Sequence, residues 1–223
     1  MSTPLVVAVD GPSGSGKSST ARGVASRLSL DYLDTGAMYR AITWAVLQRG
    51  VDVTDPDAVA EAAADVELVS GTDPQAPTIS ADGTDVSVEI RGADVTAHVS
   101  PVAAVPQVRA KLVDLQRRII DAAAGGIVVE GRDIGSTVVP DAPVKVFLVA
   151  DAEARAARRA AEEGGADPEA TAASLAARDA IDSTRATSPL TRADGAVQID
   201  GTHLTLEQVV DEVVALVEAA RSA

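Results

Sequence analysis

The 223 residues carry a formal net charge of −14, no cysteine and 46% hydrophobic residues. That length accommodates one sizeable core with a small inserted lobe, and no apolar run approaches the ~18 residues that span a bilayer. Without cysteine there are no disulfides, thiolate nucleophiles or Cys-ligated zinc, and the acidic balance disfavours non-specific nucleic-acid binding, which neutralises phosphates with Lys and Arg.

Leu5 to Val9 is a short continuous apolar run, the pattern of a strand buried on both faces of a parallel sheet. A glycine-rich turn follows, then a helical stretch from Lys17 to Leu28, a short strand at Tyr32-Leu33, and helices over Ala37 to Gln48 and Asp55 to Ala64. The character then changes. Val66 to Val69 and Thr78 to Ser80 alternate and are separated by turn residues, and Asp82-Gly83 is a hairpin signal. This predicts a small antiparallel lobe, about residues 65–100, inserted into one α/β domain spanning residues 1–223. Pro106 to Ala124 is again helical and stops at Gly125-Gly126. Ile127 to Val129 and Val144 to Val149 read as buried strands, with Trp44 and Phe147 as core aromatics. Asp151 to Thr184 reads as two helices broken around Gly164-Gly165. Val197 to Ile199 gives the last strand and Leu206 to Ala220 the closing helix. Strands alternating with helices predict a doubly wound parallel sheet with helices on both faces.

Gly11-Pro12-Ser13-Gly14-Ser15-Gly16-Lys17-Ser18 fits the phosphate-binding loop pattern G-x-x-x-x-G-K-[ST] in full, and lies between a predicted strand and a predicted helix. Glycines let backbone N–H groups converge on phosphate oxygens, and the helix N-terminus adds its positive dipole end. Lys17 is placed to neutralise the β and γ phosphates and the Ser18 hydroxyl to ligate Mg²⁺. An acidic residue ending an apolar strand commonly accompanies such a loop. Asp151 fits that position but also fits a helix N-cap, and Glu130 and Asp133 are the other candidates. His98 and His203 are the only histidines, so a His-built metal site is not expected. Asparagine is absent, which removes the Asn-Lys-x-Asp guanine-reading motif of GTPases.

Only Lys17, Lys111 and Lys145 are lysines, against sixteen arginines. Three segments join arginine to small polar or acidic residues: Asp34 to Arg40, Glu130 to Gly135, and Arg178 to Arg185. The first two follow predicted strands and so fall at the carboxyl edge of the sheet, where ligands bind in open α/β folds. Arginine suits a second phosphate because its planar fork bonds two oxygens and keeps its charge.

Together with the phosphate loop and Pro140-Asp141-Ala142-Pro143-Val144-Lys145, these segments make the chain resemble the bacterial cytidylate kinases over nearly its whole length. The resemblance implies a nucleoside monophosphate kinase fold: a phosphate-loop core, a mobile helical lid at about residues 151–185 and an acceptor lobe with a small antiparallel insert. It implies ATP at Gly11 to Ser19 with Arg155 and Arg158 from the lid. Arg40, Arg132 and Arg185 match arginines that hold the acceptor phosphate. Ser100, Arg109 and Asp133 match cytosine readers, Arg178 and Asp182 ribose contacts, and Thr35 a hydroxyl beside the acceptor. Ser19 is bulkier than a glycine at that kind of position.

The implied reaction is Mg²⁺-assisted transfer from ATP to CMP or dCMP, with Lys17, Arg132, Arg185, Arg158 and Arg159 around the transferring group. Two alternatives remain at this level: a kinase for another small acceptor such as UMP, and a nucleotide-switched binding protein with no acceptor. Arg155, Arg158 and Arg159 share a helix face, which serves either as lid contacts to ATP or as surface pairs with Glu162 or Glu163. No secretion pattern precedes the first strand, so a cytoplasmic monomer without membrane or nucleic-acid partners is expected.

Overall fold

The computed structural model describes residues 5–162 and 167–222, the side chains of residues 162 and 168 apart. Strand β1 (Val6–Asp10) is buried along its whole length, which requires cover on both faces and a neighbour on each side. Both neighbours are parallel: β6 (Ile127–Gly131) pairs Ala8 with Val129, and β7 (Val144–Val149) pairs Val9 with Val146. With β2 (Asp31–Asp34) and β8 (Val197–Asp200) at the edges, the sheet order is β2-β6-β1-β7-β8, parallel throughout.

Alternation along the strands divides the core. Val6, Ala8, Leu33, Ile127 and Val129 pack with helices α2 (Thr35–Gln48), α3 (Pro56–Ala64) and α5 (Pro106–Ala122). Val7, Val9, Tyr32, Val128 and Val146 face α1 (Lys17–Leu28) and α8 (Leu206–Ser222). The doubly wound sheet with helices on both faces is therefore present. Strand β7 differs from its expected pattern. Val144, Val146 and Leu148 are buried while Lys145, Phe147 and Val149 are only half-buried, so Phe147 is not a core residue. Trp44 packs at the margin of the first core.

Caps set most boundaries. Asp34 accepts a hydrogen bond from the Ala37 N–H at 2.8 Å, so α2 begins at Thr35, two residues before the apolar pattern does. Thr205 and Gln208 form a reciprocal capping box at the start of α8, with bonds of 2.8 and 3.2 Å.

The antiparallel sheet consists of β3 (Leu68–Ser70), β4 (Ile79–Ala81) and β5 (Thr84–Asp85). Asp82 and Gly83 both have positive φ, 50° and 77°, as the tight β4–β5 turn demands. The antiparallel structure ends there. A 3-10 turn (Glu89–Arg91) leads into α4 (Ala93–Ala104), a helix where the sequence reading extended the antiparallel lobe to about Ser100. Val95, Val99, Val102 and Ala103 supply its buried helical stripe. Pro101 inside the helix disguised it, because proline removes a backbone donor and usually marks a break. Between β6 and β7 the chain makes one wide helical turn (Ile134–Val138), with N–H groups bonding five residues back.

Helices α6 (Ala152–Glu162) and α7 (Pro168–Thr184) pack against one another, and α7 also meets α4 across the cleft. Gly164, Gly165 and Glu163 lie outside the described residues. Among the described residues no helix is long and apolar enough to cross a membrane.

Candidate active site

The order β2-β6-β1 places three motif-bearing loops side by side at the carboxyl ends of adjacent strands. Asp34 closes β2, Glu130-Gly131 close β6, and Gly11 follows β1. One cleft opens above them, and α4, α5 and α7 supply its other walls.

The phosphate loop is shaped by close backbone approach. A Cβ on Gly11 would stand 2.1 Å from the Leu148 carbonyl oxygen of β7, so no larger residue fits. Gly16 caps α1 at φ 92° with no side chain over the first turn, which leaves the helix N-terminus directed at the cleft. Lys17 is 8% exposed and its Nζ donates to the Pro12 carbonyl at 2.7 Å. Burial and the neighbouring Arg132 guanidinium hold its ammonium well below the ordinary lysine range. Such a cation gains most when an anion arrives.

Ser18 Oγ donates to Glu130 Oε2 at 2.9 Å, and the Tyr32 hydroxyl donates to the other carboxylate oxygen. Burial, with the Asp34 carboxylate nearby, raises the Glu130 pKa. Of the three acidic candidates, Glu130 is the one beside the loop hydroxyl. Asp151 accepts from the Ala154 N–H at 2.7 Å and caps α6, while Asp133 stands among arginines. Among the described residues no cluster of three or more acidic, His or Cys side chains could hold a metal alone. One hydroxyl backed by one carboxylate does fit Mg²⁺, which takes most of its ligands from nucleotide phosphates and water.

The acceptor side is arginine-rich and buried. Asp133 is 4% exposed and pairs with Arg109, 2% exposed, while Arg185 lies 3.6 Å from its other oxygen. Burial raises the Asp133 pKa, and Arg109 and Arg185 oppose the rise. Asp182 accepts from Arg132 Nε at 2.9 Å and lies 3.7 Å from Arg185. Arg132 also donates to the Gly11 carbonyl at 2.6 Å and to Ser13 Oγ, which ties the β6 loop to the phosphate loop. Arg40 donates to the Ile90 carbonyl at 3.0 Å and Thr96 Oγ1 at 2.9 Å.

Burial and crowding by Arg178 push the Arg40 guanidinium down to about 9; burial and Arg132 push Arg178 down to about 10. Arg40 and Arg178 are half-buried and line the same cleft, so positive charge is concentrated there in a chain of net charge −14. Thr35 is buried and donates to the Glu130 carbonyl at 2.7 Å, and Ser100 is also buried; both line the cleft with Ser19.

The three arginines of α6 have separate places. Arg159 lines the cleft. Arg155 donates to the Ser13 carbonyl at 3.1 Å and pairs with Asp179, which itself accepts from the Ser13 N–H at 3.0 Å. Arg158 donates to the Ser15 carbonyl at 3.3 Å and to the Gly201 carbonyl. Arg155 and Arg158 thus clasp the outer wall of the phosphate loop.

Sequence reasoning missed Asp10 and Asp179. Asp10 accepts from the Ile134 and Gly135 N–H groups at 2.8 Å each and anchors the helical turn after β6. Its signal was a carboxylate closing an apolar strand. Asp179 lies within the Arg178-to-Arg185 segment, one residue after an arginine, but only the fold brings it to Ser13.

A cytidylate kinase family profile matches residues 7–219. The cytidylate kinase of Streptomyces avermitilis is 58% identical over 219 residues, covering 98% of this chain and 95% of the relative. That of Streptomyces griseus subsp. griseus is 60% identical over 219 residues, with the same 98% and 95% coverage. A solved structure, an uncharacterized protein from Eubacterium ventriosum, matches with a TM-score of 0.54 at 12% identity, covering 97% of this chain and 99% of that one. At that identity the likeness shows the fold alone. The complete phosphate loop, the arginine-lined cleft facing it and the full-length match agree: the chain belongs to the cytidylate kinase family, and it phosphorylates CMP.

Proposed function

We propose that the cleft seats ATP at Gly11 to Ser19 and CMP or dCMP at Thr35, Arg40, Ser100, Arg109, Arg132, Asp133, Arg178, Asp182 and Arg185. The observation that carries this reading is the buried Arg109–Asp133–Arg185 group opposite the phosphate loop. A buried ion pair is a weak source of stability, because desolvation offsets most of the attraction. A charge cluster in such a place is better explained by a ligand. Cytosine presents an N4–H₂ donor and N3 and O2 acceptors, which complement a carboxylate beside a guanidinium; uracil turns a carbonyl toward that carboxylate.

An acceptor phosphate oxygen attacks the γ-phosphorus of ATP, and the bond from that phosphorus to the β,γ-bridging oxygen breaks. The acceptor oxygen is already anionic, so no general base is required. Lys17 and Arg132 neutralise charge on the transferring group, Arg159 faces the same space from the lid, and Arg40 and Arg185 orient the acceptor phosphate. Arg155 and Arg158 hold the phosphate loop in shape from outside while its N–H groups face ATP. Ser18, backed by Glu130, would hold Mg²⁺, which would supply charge neutralisation for phosphoryl transfer.

The test is ADP release measured with CMP, dCMP, UMP, AMP and no acceptor, for the native chain and for Asp133→Ala. Native activity should favour CMP and dCMP. The variant should lose ~10²-fold or more in kcat/KM for CMP with ATP affinity nearly intact, because the site's polar groups lose their partner. Equal loss toward ATP would place Asp133 in the ATP half of the cleft instead.

A further inference from the structure

Helix α5 carries one residue that its packing does not explain. Its buried stripe reads Val108, Arg109, Leu112, Gln116, Ile120. Arg109 faces the cleft at one end, and Gln116 lies two turns further along the same stripe at 1% exposure. An apolar residue would continue the pattern there. Instead neither Gln116 Oε1 nor Nε2 closes a hydrogen bond of good geometry, and the same holds for Tyr39 Oη and Arg109 Nε. These four atoms belong to three neighbouring residues. The Arg109 guanidinium lies over the Tyr39 ring, 5.4 Å from its centroid. Tyr39 lines the cleft, and its hydroxyl is buried beside the Gln116 amide.

We propose that Tyr39 and Gln116 are positioning residues for base recognition. The amide and hydroxyl fix the Tyr39 ring, and the ring, as a cation–π platform, fixes the plane of the Arg109 guanidinium. Among the described residues, Arg109 otherwise donates to the Ala103 carbonyl, at 3.3 Å, and to Asp133. A guanidinium tilted off its platform would still carry charge but would meet the base edge at the wrong angle. Buried polar groups kept for a site rather than for the fold follow a recognisable rule: apolar replacements leave stability intact and degrade function.

This inference rests on the proposed base-reading role of Arg109 and Asp133. The experiment compares Tyr39→Phe, which keeps the platform and removes the hydroxyl, Gln116→Leu, the double variant, and Asp133→Asn. For each, kcat and KM are measured with CMP and with UMP, KM for ATP is measured, and the ligand-free protein is melted. Each relay variant should lower the CMP:UMP preference in kcat/KM by about fivefold or more, through KM for CMP, with kcat and KM for ATP within about twofold. The double variant should cost no more than the worse single, because both act through one ring. Gln116→Leu should melt at or above the native temperature. An unchanged CMP:UMP preference, additive losses, or lost preference that tracks a lowered melting temperature would overturn the relay. If Asp133→Asn collapses the preference and the relay variants do not, the relay alone falls; if Asp133→Asn leaves it intact, the base-reading role falls and the relay with it.

Discussion

At the scale of single residues, the site is governed by burial of charge. Asp10 is 3% exposed, and burial pushes its carboxyl up to about 6 against the lowering effect of two backbone N–H bonds. The sign follows from linkage. A carboxyl whose folded pKa exceeds its unfolded value makes the fold most stable at low pH, and that increment is lost as pH rises through about 6. The difference amounts to about 3 kcal/mol between the two plateaus. In denaturant melts the stability of the native chain should therefore fall relative to that of Asp10→Asn as pH rises from 4 to 7. A constant difference would show that folding does not raise the Asp10 pKa. Lys17 poses the opposite case, a buried cation whose partners are carbonyls and distant carboxylates. Lys17→Ala should reduce kcat by ~10²-fold or more, since it removes charge stabilisation that grows in the transition state. Ligand-free stability should hold or rise, because a costly buried charge has gone. Near-native turnover in that variant would remove Lys17 from the reaction.

At the scale of elements, helix spacing turns a segment into a surface. Arg178, Asp182 and Arg185 fall four and three residues apart along α7 and at its C-cap, so all three reach one cleft. The sequence showed this segment but not its inward direction. On α6 the structure separates what spacing grouped together: Arg159 faces the cleft, and Arg158 bonds to the Ser15 and Gly201 carbonyls. Arg159→Ala should therefore lower turnover about tenfold or more at saturating substrates. Arg158→Ala should lower the ligand-free melting temperature as well as turnover, because its bonds join α6 to the phosphate loop and the loop after β8. A steady-state assay checks the first and a thermal melt the second; native turnover in Arg159→Ala or a native melting temperature in Arg158→Ala would contradict these roles. Helix α4 was illegible for a local reason. Pro101 and the preceding turn residues outweighed a buried stripe that only packing against α2 makes decisive.

For the whole molecule, the contacts α7 makes with α4, and α6 and Asp179 make with the phosphate loop, join α6 and α7 to both sides of the cleft. Protection of backbone amides in 152–162 and 168–184 should rise more with ATP and CMP together than with either alone. The reason is that only the pair supplies anions to arginines on both sides. Hydrogen exchange checks this, and equal protection by one substrate would remove the lid's dependence on the second.

The sequence by itself determined the phosphate loop, the parallel α/β architecture and most helix limits, because these depend on local chemistry: glycine conformations, apolar periodicity and caps. It also displayed the arginine segments, whose charge needs no fold to be read. What only the tertiary structure decided was which side chains meet. The pairing of Ser18 with Glu130, 112 residues away, and of Ser13 with Asp179, 166 residues away, follows from strand order and lid packing. The same holds for the approach of Tyr39 to Arg109 and Gln116, because an amide on the buried stripe of α5 carries no local signal. Local patterns are set by each residue's own backbone and neighbours in sequence, whereas long-range pairs are set by how elements close over one core, and the site is made of such pairs.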